Sequence, residues 1–199
     1  MARRKGQTAG QSCGVASRIS TVPATLGQVD GSLVLRDAQL LDVPGITRIF
    51  GYYATETMAT FETVPLTEPE WLGKLQTARE AGHPFLVATL GSTVIGYAYA
   101  TAWKSKPGYA QTVENSIYLA SGHGGRGYGR ALLEELLLRT AESGARQVIA
   151  VIADYGSPAS LALHRSAGFT EAGRLRQVGF KHGRWIDTVL MQRSLDKVS

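Results

Sequence analysis

The sequence predicts an α/β (α+β) fold, a single domain in which a mixed sheet is flanked by helices. Two observations carry this expectation. Runs with strand-like alternation and runs with helical spacing of apolar residues follow in the order β-α-α-β-β-β-α-β-α-β-β. The chain has 199 residues, 44% of them apolar, which is enough for one core and cramped for two.

The elements justify themselves in turn. LVLRDA from Leu33 opens the pattern with a strand over Leu33 to Arg36. A helix starts near Asp42, where Ile46, Ile49, Phe50 and Tyr53 recur at helical spacing. Thr67-Glu68-Pro69-Glu70 has the form of a capping box, in which a threonine oxygen and a glutamate satisfy each other's backbone N–H groups, so a second helix runs to Gly82. PFLVATL and TVIGYAYATAW are strands turned at Gly91-Ser92, and TVENSIYL is the next strand. Leu132, Leu133, Leu136, Leu137 and Thr140 share one helix face, with Ser143-Gly144 as its stop. QVIAVIA is a short buried strand, and Pro158 to Ala167 a short helix. Thr170 to Val178 and Trp185 to Arg193 are strands joined through GFKHGR.

Charge and cysteine content exclude several classes. The formal net charge is +5, but residues 1–29 hold Arg3, Arg4, Lys5 and Arg18 and no acid, so the rest is nearly neutral. A basic stripe for nucleic acid is therefore not expected on the folded part. No apolar run has the roughly 18 residues of a membrane helix. Cys13 is the lone cysteine and the four histidines are scattered, which excludes a disulfide framework or cysteine metal cluster and suits the cytoplasm. Residues 1–32, rich in Gly, Ser, Thr and Gln, read as a disordered extension, 33–195 as the domain and 196–199 as a tail.

The chemistry concentrates in GHGGRGYGR, Gly122 to Arg130, between the strand IYL and the helix ALLEELLL. Gly122, Gly124 and Gly127 fit G-x-G-x-x-G, and Asp154 after the next strand could serve a ribose, so a nicotinamide-dependent oxidoreductase is one reading. Only 45 residues follow Asp154, mostly hairpin, which fits a doubly wound sheet poorly. A P-loop would need Lys and Ser or Thr after Gly127, where Tyr128 and Gly129 stand. The remaining reading is a pyrophosphate seated on the loop amides and the helix start, with Arg126 and Arg130 adding charge. NAD and coenzyme A suit that physics equally.

The neighbouring segments distinguish the two. GGRGYG, Gly124 to Gly129, resembles the Q/R-x-x-G-x-G/A acetyl-CoA loop of the GNAT superfamily of N-acetyltransferases. WKSKPGY, TVENSIYL, SPASLALHRSAGF and LRQVGFKHGRWID are similar to its phosphinothricin and methionine sulfoximine N-acetyltransferase branch. The resemblance spans about Leu33 to Leu195. It implies a GNAT-like, mixed and mostly antiparallel sheet that splays to admit the pantetheine arm, acetyl-CoA as donor, a small amino-acid-like amine as acceptor, and a homodimer. Two positions depart from the pattern: Gly124 stands where Gln or Arg is usual, and Ser157 where an Asn is expected seven residues before His164. An acyl-CoA-binding module without catalysis is the non-enzyme alternative.

Acetyl transfer to an amine that is ammonium at neutral pH needs a base. Glu114 is the candidate, an acid amid TVENSIYL, whose two-residue period puts Glu114, Ser116 and Tyr118 on one face and Val113, Asn115, Ile117 and Leu119 on the other. By its residues alone it is also readable as half of an ion pair; the resemblance implies the base. The resemblance also puts His164 where many relatives have a proton-donating tyrosine. It further implies an oxyanion-holding N–H within Ile117, Tyr118 and Leu119, and cofactor contacts along Gly124, Gly125, Arg126, Gly127, Tyr128, Gly129, Arg130 and Ser157. For an acceptor carboxylate, Lys104, Lys106 and Lys181 supply cations and Tyr109 an aromatic wall, with no arginine between Trp103 and Val113.

Overall fold

The structure, a computed structural model, describes residues 20–22 and 31–195. Most of the expected extension, Cys13 within it, and the tail lie outside the described residues. Among the described residues eight strands form one sheet: β1 Ser20–Val22, β2 Leu33–Asp37, β3 Phe85–Leu90, β4 Thr93–Ala102, β5 Thr112–Leu119, β6 Gln147–Asp154, β7 Thr170–Lys181 and β8 Arg184–Ser194. Their spatial order is β1-β2-β3-β4-β5-β6-β8-β7. Strand β5 pairs in parallel with β6, and every other neighbouring pair is antiparallel.

Among the same described residues four α-helices cover the sheet: α1 Val43–Glu56, α2 Glu68–Glu80, α3 Tyr128–Glu142 and α4 Ala159–Ser166. On one face α1 and α2 pack Ile46, Ile49, Phe50, Trp71 and Leu75 against Val87, Val94 and Tyr97. On the other, α3 packs Leu132, Leu133, Leu136 and Leu137 against Leu35, Ala98, Val113 and Val148. Both clusters follow from sequence periodicity, since the apolar stripe of each helix must meet the alternating apolar face of a strand.

Local signals hold at the element ends. The Glu70 N–H donates to the Thr67 hydroxyl and the Thr67 N–H donates to the Glu70 carboxylate, closing the capping box of α2. Gly91 turns the β3–β4 hairpin in the left-handed region. Two differences from the expected elements stand out. Strand β1 pairs with β2 inside the segment read as extension. Strands β7 and β8 run through GFKHGR, pairing Phe180 with Trp185 and Lys181 with Arg184, so only His182 and Gly183 make the turn.

Candidate active site

The site is made by a parting of strands. Strands β5 and β6 pair only from Thr112↔Gln147 to Asn115↔Ala150. Beyond that, β5 stays with β4 and β6 with β8, so the sheet opens at Ser116 and Val151. A cavity of about 780 Å³ occupies the opening and reaches both faces, touching Tyr53 and Ser116 on the α1 side and Asn115 and His164 on the α4 side.

Hydrogen-bond alternation decides which backbone groups face the gap. The Trp103 N–H donates to the Thr112 carbonyl and the Ala120 N–H to the Ile95 carbonyl, so the even-numbered residues of β5 bond to β4. Ile117 and Leu119 therefore turn their N–H groups toward the opening, while the N–H of Tyr118 points to β4. The Leu119 carbonyl, also on the gap side, accepts the Tyr53 hydroxyl at 2.9 Å.

The glycine loop closes one end of the cavity. Gly122, Gly125 and Gly127 have φ of 80°, 74° and 82°, in the left-handed region that side chains disfavour. Gly127 is the N-cap of α3 and has no side-chain cap bond; the first helical bond of α3 runs from the Ala131 N–H to the Gly127 carbonyl. The amides of Tyr128, Gly129 and Arg130 thus stand at the helix's positive end. A Cβ at Gly124, Gly125 or Gly127 would meet nothing within 4 Å, so the surface beside the amides is open. This suits a pyrophosphate. Gly124, Gly125, Gly127, Gly129, Arg130 and Ser157 line the cavity. Arg126 is exposed nearby, Arg130 bonds Glu134 at 2.7 Å, and Tyr128 is buried in the core.

Glu114 lies on the α1–α2 face of β5, two residues before Ser116 at the opening. Burial pushes its carboxyl above the ordinary carboxylate range, and the Lys104 ammonium pulls it part of the way back. Burial likewise raises the neighbouring phenols Tyr99 and Tyr118, keeping them neutral. The Ser116 hydroxyl hydrogen-bonds Tyr99. His164 lies across the sheet, 3% exposed. Its Nδ1 is 2.8 Å from the Ser160 carbonyl and its Nε2 3.0 Å from Nδ2 of Asn115. Burial lowers its pKa, opposed by the Ser160 carbonyl.

The expected acceptor residues are not all brought together. Lys104 sits 4.7 Å over the Trp103 ring and lines a second groove of about 600 Å³ with Phe61, Val178 and Phe180. Lys106 and Tyr109 are exposed on a 3-10 turn outside both hollows. Lys181 is buried, and its ammonium donates to the Tyr53 and Thr60 carbonyls at 3.2 and 2.9 Å. Sequence reasoning left Tyr53 in the core stripe and gave Asn115 no role. The signal for Asn115 was present, a lone amide on the apolar face of TVENSIYL.

The chain matches the acetyltransferase (GNAT) domain family over residues 35–190. It is 44% identical to the phosphinothricin N-acetyltransferase of Alcaligenes faecalis over 155 residues, 78% of this chain and 79% of the relative. It is 36% identical to the L-methionine sulfoximine/L-methionine sulfone acetyltransferase of Pseudomonas aeruginosa over 166 residues, 83% of this chain and 96% of the relative. The crystal structure of a GNAT superfamily phosphinothricin acetyltransferase from Sinorhizobium meliloti in complex with acetyl-CoA superposes with TM-score 0.78 at 44% identity, covering 81% of this chain and 88% of that one. These likenesses make acetyl-CoA the donor and leave the nicotinamide reading without support. With a splayed β5–β6 pair and an uncapped, glycine-led α3, the chain belongs to the GNAT acetyltransferase family.

Proposed function

We propose that this N-acetyltransferase acetylates the amino group of a small amino-acid-like acceptor of the phosphinothricin or methionine sulfoximine type. One observation carries the reading: the opening at Ser116 and Val151 joins the glycine-led start of α3 to the face of β5 that holds Glu114. The names of the relatives supply the acceptor class.

When bound, acetyl-CoA supplies the acetyl group as a thioester. The amides of Gly125, Gly127, Tyr128 and Gly129, with Arg126 and Arg130 near, hold its pyrophosphate, and Ser157 adds a polar contact. The N–H groups of Ile117 and Leu119 are placed for its arm and for charge building on the carbonyl oxygen. Glu114 takes one proton from the acceptor ammonium, and half-burial suits it as a base nearer neutral pH. The amine nitrogen then forms a C–N bond to the acetyl carbon as the C–S bond breaks. Its second proton leaves, and the thiolate recovers one, with His164 facing the cavity from the α4 side. Lys104, which lines the groove beside Phe61, supplies the cation for a carboxylate.

The same reading has the enzyme working as a homodimer in the cytoplasm. Val178, Phe180 and Trp185 are 54, 55 and 62% exposed on the β7–β8 edge, and a second copy would cover them. Sedimentation should detect a dimer that Trp185→Glu weakens.

Thiol release from acetyl-CoA across phosphinothricin, methionine sulfoximine, methionine sulfone and polyamines tests the acceptor class. Turnover is expected with the first three. Turnover with polyamines alone would overturn the class, and acetyl-CoA binding without turnover on any amine would overturn catalysis.

A further inference from the structure

We propose that Asn115 is a positioning residue that donates to the bare Nε2 of His164 and holds it at the cavity, while the Ser160 carbonyl fixes the ring proton on Nδ1. The geometry dictates the assignment step by step. The Ser160 carbonyl can only accept, so Nδ1 of His164, 2.8 Å away, carries the ring proton. In a neutral ring Nε2 is then a bare lone pair, and Asn115 presents its Nδ2 donor to it at 3.0 Å. The reversed amide would place Oδ1 against Nε2, which pairs well only with an imidazolium. Burial at 3% exposure opposes that form.

Asn115 is itself 5% exposed, and its Oδ1 is buried with no hydrogen-bond partner. A position selected for packing alone would be filled by an apolar side chain like its face neighbours Val113 and Ile117. An orphaned acceptor is retained where the donor on the same group has work to do. That work lies at the last residue of β5 that pairs with β6, where the cavity begins. Charged groups stand apart from the ring: Glu114 is on the other face of β5, and Arg165, next along α4, is exposed. Phe169 packs edge-on at 5.0 Å and supplies no proton.

The consequence for the reaction, which rests on the acetyltransferase reading above, is that His164 enters neutral. Its cavity-side nitrogen is a proton acceptor, held in place by Asn115. A proton reaches the thiolate through His164 only after Nε2 has first taken one up.

Nitrogen-15 NMR of histidine-labelled, ligand-free protein tests the assignment independently of catalysis. The wild type should show His164 protonated at Nδ1 and bare at Nε2 at neutral pH. Asn115→Leu should keep the proton on Nδ1, which the Ser160 carbonyl holds, but shift the Nε2 resonance as its hydrogen bond is lost, and Asn115→Asp, which keeps the shape and gains a carboxylate, should raise the ring's pKa. With acetyl-CoA and the best acceptor, Asn115→Leu should lower kcat about tenfold and leave the acetyl-CoA KM within about twofold. An unchanged nitrogen-15 pattern in both variants would overturn the proposal, as would a wild-type ring protonated at Nε2. A chain inactive on every amine would sink the acetyltransferase reading and leave the nitrogen-15 result to decide this one.

Discussion

The Tyr53 hydroxyl donates to the Leu119 carbonyl at 2.9 Å, tying the last turns of α1 to the lip of the β5–β6 opening. Tyr53 also packs its ring 4.9 Å from Tyr118, so the side chain is fixed at both ends. Tyr53→Phe keeps the ring contact and removes only the bond. Thermal denaturation should show a loss of about 1 kcal/mol. The KM for acetyl-CoA should rise with kcat within about twofold, because the lip serves donor binding rather than proton transfer.

Glu114 gives a prediction in which activity and stability move oppositely. Its carboxyl pKa is raised by burial, so the folded state binds the proton more tightly than the unfolded chain does. Its favourable contribution is complete below the unfolded carboxylate pKa and is lost as pH rises through the folded value. Glu114→Gln should therefore melt higher than wild type at neutral pH, the difference fading toward acid. Turnover should fall by about 10² to 10⁴ with acetyl-CoA affinity kept, and the acid limb of the wild-type pH profile should lie above an ordinary glutamate's pKa.

What the sequence disclosed was local. TVENSIYL is strand β5 residue for residue, because alternation and β-branched content act within eight positions. The stripe Leu132, Leu133, Leu136, Leu137 and Thr140 is buried as its spacing requires. The opening was legible only through family resemblance, since it depends on where two strands more than 30 residues apart stop pairing. Asn115 and His164 meet across 49 residues. Lys181 reads from the sequence as a cation for the acceptor carboxylate; the longer β7 and the α1–α2 connection bury it together, and no local pattern records that.

Lys181 caps the end of α1 from a distant strand. A cation at a helix C-terminus satisfies carbonyls that have no helical partner and meets the negative end of the dipole. Thr60, the other acceptor, sits in the connection beside Phe61. Lys181→Met keeps most of the apolar stem and removes both bonds. Denaturation should show a loss of about 2 kcal/mol. The acceptor KM should rise more than the acetyl-CoA KM, since Thr60 stands next to Phe61 in the groove proposed for the acceptor.

Phe61 and Gly179 offer the sharpest test of that connection. A Cβ built on Gly179 would stand 1.9 Å from Cε1 and 2.4 Å from Cδ1 of Phe61, so the ring occupies the space a side chain would need. Gly179→Ala must displace the ring, and with it the wall of the groove that Phe61 shares with Lys104. Overpacking of this kind costs about 1–3 kcal/mol. The acceptor KM should rise while the acetyl-CoA KM holds. Direct contact requires the two sites to couple: in a Phe61→Ala background the ring is gone, and Gly179→Ala should then have little further effect on stability or on the acceptor KM. Additive effects in that double-mutant cycle would show that the Phe61 ring does not rest on Gly179 in solution.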